Sequence, residues 1–264
     1  MLGTGWTELV ALAASFAIAV VASPAGISGA VLLLPFQVSV LGTPSPAVTP
    51  TNLLYNIIAT PGAIYRYWRQ GQTGGQITAV LIAGTLPGVI AGSIVRVELL
   101  PGAMVFALVV GSVLTPLGAW IALSRPTQTQ QSGGQQRSLP AALLVAISAA
   151  VGCVGGIYGI GGGSILAPIL LGSGRKPGEV APAALVSTFV TSVAGVITFT
   201  ILSIGQHSDV APSWPTGIAL GIGGLAGAYT GARIQSRLPE RAIRRIMGVL
   251  VVAIGARYLW LGVP

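Results

Sequence analysis

The side chains in this chain that could do chemistry are few, neutral and set among apolar residues. In the stretch TPTNLLYNIIATPG, Thr51, Asn52, Tyr55 and Asn56 are spaced so that Asn52 and Asn56 share one helical face. A later stretch carries Ser187, Thr188, Thr191 and Ser192. Where water is scarce, such groups either bond a neighbouring helix or receive a polar solute. The stretch GGIYGIGGGSILAP, residues 155–168, is dense in glycine and closes on a proline. Consecutive Gly161, Gly162 and Gly163 weaken a helix by about 1 kcal/mol each relative to alanine, and Pro168 withholds an N–H. This combination predicts a helix broken at the glycines and restarted near Ser164. Its first amides lack helical partners, and its positive dipole end faces a cavity, an arrangement that attracts anions. The stretch AGISGAVLLLPF repeats the design with Ser28, Gly29, Ala30 and Pro35. Tyr158 is placed either to close over such a site or to pack beside it.

Other chemistries are disfavoured. None of the five acids lies in an apolar run with a histidine, a serine or a second acid, so no catalytic constellation is expected. A single cysteine, Cys153, excludes an intrachain disulfide, and a single histidine, His207, leaves no histidine metal cluster. No cofactor is indicated. The segment GIGGLAG at 221 fits a dinucleotide fingerprint, with Glu240 at a suitable distance, but it has no strand before it and lies in an apolar run.

The elements that must position these residues belong to a membrane protein. Of 264 residues, 53% are hydrophobic and 7% charged, against about a quarter charged in soluble domains. Apolar runs long enough to cross a hydrocarbon core of about 30 Å recur along the chain. The first basic residue is Arg66, so a cleaved secretory signal is not expected.

The runs form two copies. A shift of 133 residues lays AGISGAVLLLPF on YGIGGGSILAPI, matching Gly26, Gly29 and Pro35 to Gly159, Gly162 and Pro168. Downstream, VTPTNLLYN meets VAPAALVST, and GTLPGVIAG meets GGLAGAYTG. Each copy reads as five segments: 6–23, 25–41, 48–66, 76–95 and 102–123, then 139–155, 157–172, 180–204, 214–232 and 242–262. The expected fold is therefore an all-α integral membrane protein. It has two inverted-topology repeats, 1–124 and 139–264, with helices broken at Gly/Pro motifs and a polar linker at 125–138. Glycines at every fourth position, Gly84, Gly88, Gly92 and Gly223, Gly227, Gly231, read as helix-packing surfaces.

Charge fixes the expected orientation. If every segment crosses, eleven of thirteen basic residues face one side, with only Arg96 and Arg257 opposite. That side is cytoplasmic by the positive-inside rule, which makes the linker cytoplasmic and both termini extracytoplasmic. The net charge of +8 is thus spread over loops that meet lipid headgroups, and nucleic acid is not an expected partner. Tyr65, Tyr67 and Trp68 beside Arg66 and Arg69 read as an interfacial belt. Self-association as a homo-oligomer is left open by the sequence.

Over nearly its whole length the chain resembles the TauE/SafE family of membrane transporters, also called the toluene sulfonate uptake permease family. The resemblance rests on the paired glycine-proline motifs, on TPTNLLYNIIATPGAIYRYWRQGQ, GTLPGVIAG and GGLAGAYTGARI, and on the RLPERAIRRIMGVLVVAIGARYL ending. The first copy departs from the pattern in lacking consecutive glycines. The resemblance implies an inner-membrane carrier for a sulfur-containing anion such as sulfite, thiosulfate or an organosulfonate, often an exporter. An anion channel, or a carrier of another small organic anion, is the alternative. The residues expected to meet substrate are Ser28, Gly29, Ala30, Asn52, Tyr55, Asn56, Tyr158, Gly161, Gly162, Gly163, Ser164, Ser187 and Thr188, with Pro35 and Pro168 as structural helix breaks. The crossing count has a direct check: Gln130→Cys and Ser208→Cys proteins should label with an impermeant thiol reagent from opposite membrane faces.

Overall fold

The computed structural model of the protein describes residues 4–25, 27–72, 75–100, 140–172, 177–205 and 210–234, with scattered helical positions between 108 and 123 and between 245 and 260. Gly26, the linker 125–138, His207, Asp209, most of the basic loop residues and the side chain of Pro168 lie outside the described residues.

The regular elements described are all helical. They are α1 (Thr4–Ala22) with a 3-10 turn at Ser23–Ala25, α2 (Ala30–Ser39), α3 (Ser45–Arg69), α4 (Gly75–Glu98), α5 (Ala141–Tyr158), α6 (Gly163–Gly172), α7 (Pro177–Gly205) and α8 (Trp214–Ile234). Three stretches, Gly5–Ala22, Gly75–Glu98 and Glu179–Ile204, are long and apolar enough to cross a membrane. Helices α2 and α6 have ten residues each, which spans about 15 Å, half of a hydrocarbon core.

The prolines expected to break helices do not sit at the breaks. Pro35 lies inside α2, and residue 168 lies inside α6, each five residues past the first helical position. The interruptions come earlier, at residues 27–29 and 159–162, and the second helix restarts at Gly163. A proline here removes one hydrogen bond to the residue four before it, a loss a helix survives when that carbonyl finds another donor.

Small residues set how the helices pack. A Cβ on Gly88 would fall 2.2 Å from the Ala149 carbonyl oxygen, and one on Gly92 would fall 2.0 Å from that of Cys153. Residue numbers rise together along this contact, so α4 and α5 run side by side in one direction. The same holds for α1 and α8, where Gly223, Gly227 and Gly231 meet Leu12, Phe16 and Val20, and for α3 and α8, where Leu54 and Ile58 meet Gly217 and Gly221. Helices α3 and α7 run oppositely: Ala63 and Tyr67 cluster with Ala181 and Leu185, whereas Leu53 and Leu54 cluster with Val196 and Phe199. Beyond these bundles, Gly111 packs against Leu259 and Gly248 against Ala122.

Some helix pairings recur between the two sets of four helices. Helix α1 packs on α8 as α5 packs on α4, and α3 packs on α8 as α7 packs on α4. Just past the end of α1, the Ser23 carbonyl accepts a hydrogen bond from Tyr67 Oη at 3.3 Å, near the end of α3. The chain from Ser23 through α2 therefore travels back along α3 to reach its start. This bond also corrects the reading of the aromatic cluster. Tyr65 and Trp68 are exposed, as an interfacial belt requires, but Tyr67 is buried.

Adding bulk at the parallel α4–α5 contact should be severe, because backbone leaves no flexible side chain to yield. Gly92→Leu is expected to abolish a monodisperse detergent-solubilised protein. Gly5→Ala, with nothing within 4 Å of the added carbon, should leave the melting temperature unchanged.

Candidate functional site

Different local chemistry positions the two interruptions. Before α6, Gly159 and Gly161 take φ values of 78° and 68°, a left-handed region that a side chain makes costly. Gly159 ends α5, and its amide and that of Ile160 both donate to the Gly155 carbonyl, at 2.8 and 3.1 Å. Before α2 the chain instead uses a side chain: the Ser28 hydroxyl accepts the amide of Ala30, the first residue of the restarted helix, at 3.2 Å. Ser28 and Gly161 occupy corresponding places, 133 residues apart.

The two interruptions meet. The Ser28 amide donates to Ser164 Oγ at 3.2 Å, and the Ser28 hydroxyl donates to Asn56 Oδ1. Asn56 Nδ2 in turn donates to the Gly159 carbonyl at 3.5 Å. Asn56 lies near the middle of α3, so both breaks sit beside the centre of that helix. Ser28, Asn56 and Ser164 are all buried.

Several expected site residues serve the frame of this junction. Asn52 Nδ2 donates to the Ala30 carbonyl at 2.9 Å while Asn52 Oδ1 accepts from Gln37 Nε2 at 3.1 Å, which fastens α2 to α3. The Tyr55 hydroxyl fills the space beside Gly29, 2.6 Å from where a Cβ would stand. Ser187 Oγ lies 2.9 Å from Thr85 Oγ1, linking α7 to α4. Tyr158 Oη donates to the Val31 carbonyl at 3.0 Å. Val31 is four residues before Pro35, so Tyr158 supplies the hydrogen bond that the proline cannot.

Thr188 and Ser192 are different. Both are fully buried, and neither hydroxyl has a hydrogen-bond partner. They stand against the second break: a Cβ on Gly161 would lie 2.9 Å from the Thr188 methyl and 3.3 Å from Ser192 Oγ, and one on Gly163 would lie 2.6 Å from Thr188 Oγ1. In the internal alignment, Thr188 corresponds to Asn56 and Gly161 to Ser28. Ser28 satisfies Asn56, whereas Gly161 has no side chain to offer Thr188. At the first break Ser28 is paired with Asn56 and Ser164, whereas the second places its glycines beside two unpartnered hydroxyls. Gly162 and Gly163 also let helices approach, since their added carbons would fall 2.5 Å from the Thr85 methyl and 1.9 Å from the Ala184 carbonyl oxygen.

Sequence reasoning missed Arg96, Thr49, Thr85 and Gln37. Arg96 is 1% exposed near the end of α4. Its Nε donates to Thr49 Oγ1 at 3.4 Å, and another guanidinium nitrogen donates to the Leu100 carbonyl. Thr49 Oγ1 donates to the Ile157 carbonyl at 3.2 Å. An arginine inside an apolar run was the available signal.

The two broken helices thus meet mid-molecule beside the buried neutral side chains of Ser28, Asn56, Ser164, Thr188 and Ser192. The family model described as Sulfite exporter TauE/SafE matches residues 11–258. The chain belongs to this family. It is similar to a probable membrane transporter protein of Xylella fastidiosa (strain Temecula1 / ATCC 700964), at 23% identity over 89% of this chain and 88% of that one. It is also similar to the probable membrane transporter protein YunE of Bacillus subtilis (strain 168), at 30% identity over 48% of this chain and 44% of that one. No solved structure matches the chain. This TauE/SafE protein is thus a membrane transporter, and its broken helices bring together several of its buried polar groups.

Removing the Tyr158 hydroxyl isolates one part of the frame. Tyr158→Phe leaves the Val31 carbonyl unpaired in an apolar interior, a loss of about 1–3 kcal/mol. The expected result is a lower melting temperature in detergent with the helical content retained.

Proposed function

We propose that the protein carries a small sulfur-containing oxyanion, such as sulfite, thiosulfate or an organosulfonate, by alternating access, with export as its direction. The observation that carries this reading is the pair of buried, unpartnered hydroxyls of Thr188 and Ser192 beside Gly161–Gly163. An oxyanion at the start of α6 would accept hydrogen bonds from those hydroxyls and from the amides of Gly161, Gly162, Gly163 and Ser164, at the positive end of the helix. Ser28 and Asn56 would form the opposite wall, with the Ser28–Ser164 bond joining the two. Asn52, Tyr55, Tyr158 and Ser187 would hold the walls in place. The family's description as a sulfite exporter supports both the sulfur class and the direction.

In this reading residues 1–124 and 139–264 are inverted repeats in the inner membrane. The linker 125–138 is cytoplasmic and both termini are extracytoplasmic. Helix directions support the inversion. Helix α8 runs with α1 and with α3, α5 runs with α4, and α3 runs against α7. The five residues 70–74 between α3 and α4 force a reversal there. The first helices of the two repeats, α1 and α5, then point in opposite directions. Rocking of one repeat against the other would open the shared site to each face in turn.

Flux into proteoliposomes tests the substrate. Saturable, trans-stimulated flux of sulfite or short sulfonates is expected; unsaturable flux would indicate a channel, and no flux of any sulfur anion by folded protein would sink the substrate class. Thr188→Val should leave the melting temperature unchanged or slightly higher, because no hydrogen bond of the empty protein is lost. It should nevertheless raise KM by about tenfold or more, the worth of a hydrogen bond to a charged group.

A further inference from the structure

We propose that the bodies which move in transport are two mixed bundles, α1–α3 with α8 and α5–α7 with α4, and that the seam between α3 and α7 is the gated pathway. This rests on the carrier reading above and refines what rocks: each body is three helices of one repeat with the fourth helix of the other. Within each bundle the helices are joined backbone to backbone. In the first, carbons added at Gly62 and Gly223 would fall 2.6 Å from the Leu225 carbonyl oxygen and 2.1 Å from that of Leu12. In the second, carbons added at Gly152 and Gly156 of α5 would fall 2.5 and 2.4 Å from the Thr85 and Val89 carbonyl oxygens of α4, and one at Gly163 of α6 would fall 1.9 Å from that of Ala184 on α7. A shift of one residue along such a seam, about 1.5 Å, puts a side chain where only glycine fits, so the helices cannot slide. The Thr85–Ser187 hydrogen bond and an apolar cluster around Leu81, Leu166 and Ala184, drawn wholly from the second bundle, complete its α4–α7 contact. Among the described residues of α1–α8 and the breaks between them, Gly159 alone makes a backbone approach from one bundle to the other, to the Thr49 carbonyl.

The antiparallel α3–α7 seam between the bundles is made of side chains instead. Leu53 and Leu54 cluster with Val196 and Phe199 toward one end, and Ala63 and Tyr67 cluster with Ala181 and Leu185 toward the other. At Gly195 the nearest atom is a Leu53 methyl, the far end of a flexible side chain. Asn56 lies between the two clusters on α3, and Thr188 and Ser192 lie between them on α7. Each cluster therefore plugs one end of the stretch that carries the polar side chains of the site. Hydrogen bonds that cross between the bundles, from the Ser28 amide to Ser164 Oγ, from Asn56 Nδ2 to the Gly159 carbonyl and from Thr49 Oγ1 to the Ile157 carbonyl, each involve a rotatable side chain. Side-chain contacts of this kind repack when packed helices shear by small distances. Both plugs are closed here, and Thr188 and Ser192 are fully buried. Parting one plug while the other holds would open them to one membrane face at a time.

Spin-label distances in proteoliposomes test this, on a Cys153→Ala background and at exposed positions, each protein being checked for flux. Leu9→Cys with Ile218→Cys, and Ile94→Cys with Leu143→Cys, lie within one bundle but across the repeats. Trp68→Cys with Ile94→Cys, and Leu143→Cys with Ile218→Cys, lie across the bundles but within one repeat. Distances are taken without anion and with sulfite, thiosulfate or methanesulfonate. The across-bundle pairs should change and the within-bundle pairs should stay fixed. The opposite pattern, with the repeats moving as bodies, would overturn the assignment and leave the carrier reading standing. No change in any pair would overturn it too, and unsaturable flux in the same vesicles would then remove the carrier reading as well. Ser164→Ala takes away the bond from the Ser28 amide and leaves the glycine seams intact, so it should broaden the across-bundle distances alone. Equal broadening within the bundles would count against rigid bodies.

Discussion

A backbone that stops being helical inside an apolar protein loses its own hydrogen-bond partners, and every one of them has to be replaced from somewhere else. Much of this structure follows from that constraint. The two interruptions, at residues 27–29 and 159–162, are each held by a bond between the two halves of the chain: the Ser28 amide goes to Ser164 on α6, and the Gly159 carbonyl receives Asn56 on α3. Tyr158, at the last position of α5, repairs the carbonyl that Pro35 leaves open in α2. These bonds cross from one half of the sequence to the other, so neither break is self-sufficient.

The same constraint explains the distribution of small residues. A broken helix brings too few contacts to be held by itself and must be gripped by neighbours. The long helices therefore approach to backbone contact, with Gly88 and Gly92 on α5 and Gly223 and Gly227 on α1. Association of helices in lipid relies on such packing, since apolar side chains gain nothing from leaving lipid tails. The glycines from 159 to 163 serve two needs together, the left-handed turn and close contact with α7 and α4. A sequence reading that weighs helix breaking against packing poses a choice that the structure does not make.

The two helix interruptions differ in how their polar neighbours are satisfied. The first copy keeps Ser28 and Asn56, which satisfy each other, and the second keeps Gly161 and Thr188, which do not. Unpartnered hydroxyls in a dry interior cost free energy unless something arrives to use them. On the proposed reading, that something is the transported anion.

The sequence by itself determined the class of molecule and the outline of its elements. Low charge and recurrent apolar runs required a membrane helix bundle, and repeated Gly/Pro motifs located both interruptions to within a few residues, because glycine runs disrupt helices wherever they occur. Spacing likewise identified the packing glycines and brought Asn56, Ser164 and Thr188 into view. Only the tertiary structure decided which polar groups are spent and which remain open. Ser187 looks identical in kind to Thr188 and Ser192, yet it meets Thr85 while their hydroxyls have no partner. Pro35 reads as a breaker until Tyr158, 123 residues further along the chain, is seen to complete its helix. Hydrogen-bond satisfaction is a property of pairs, and the partners here lie in distant parts of the chain that only folding brings together.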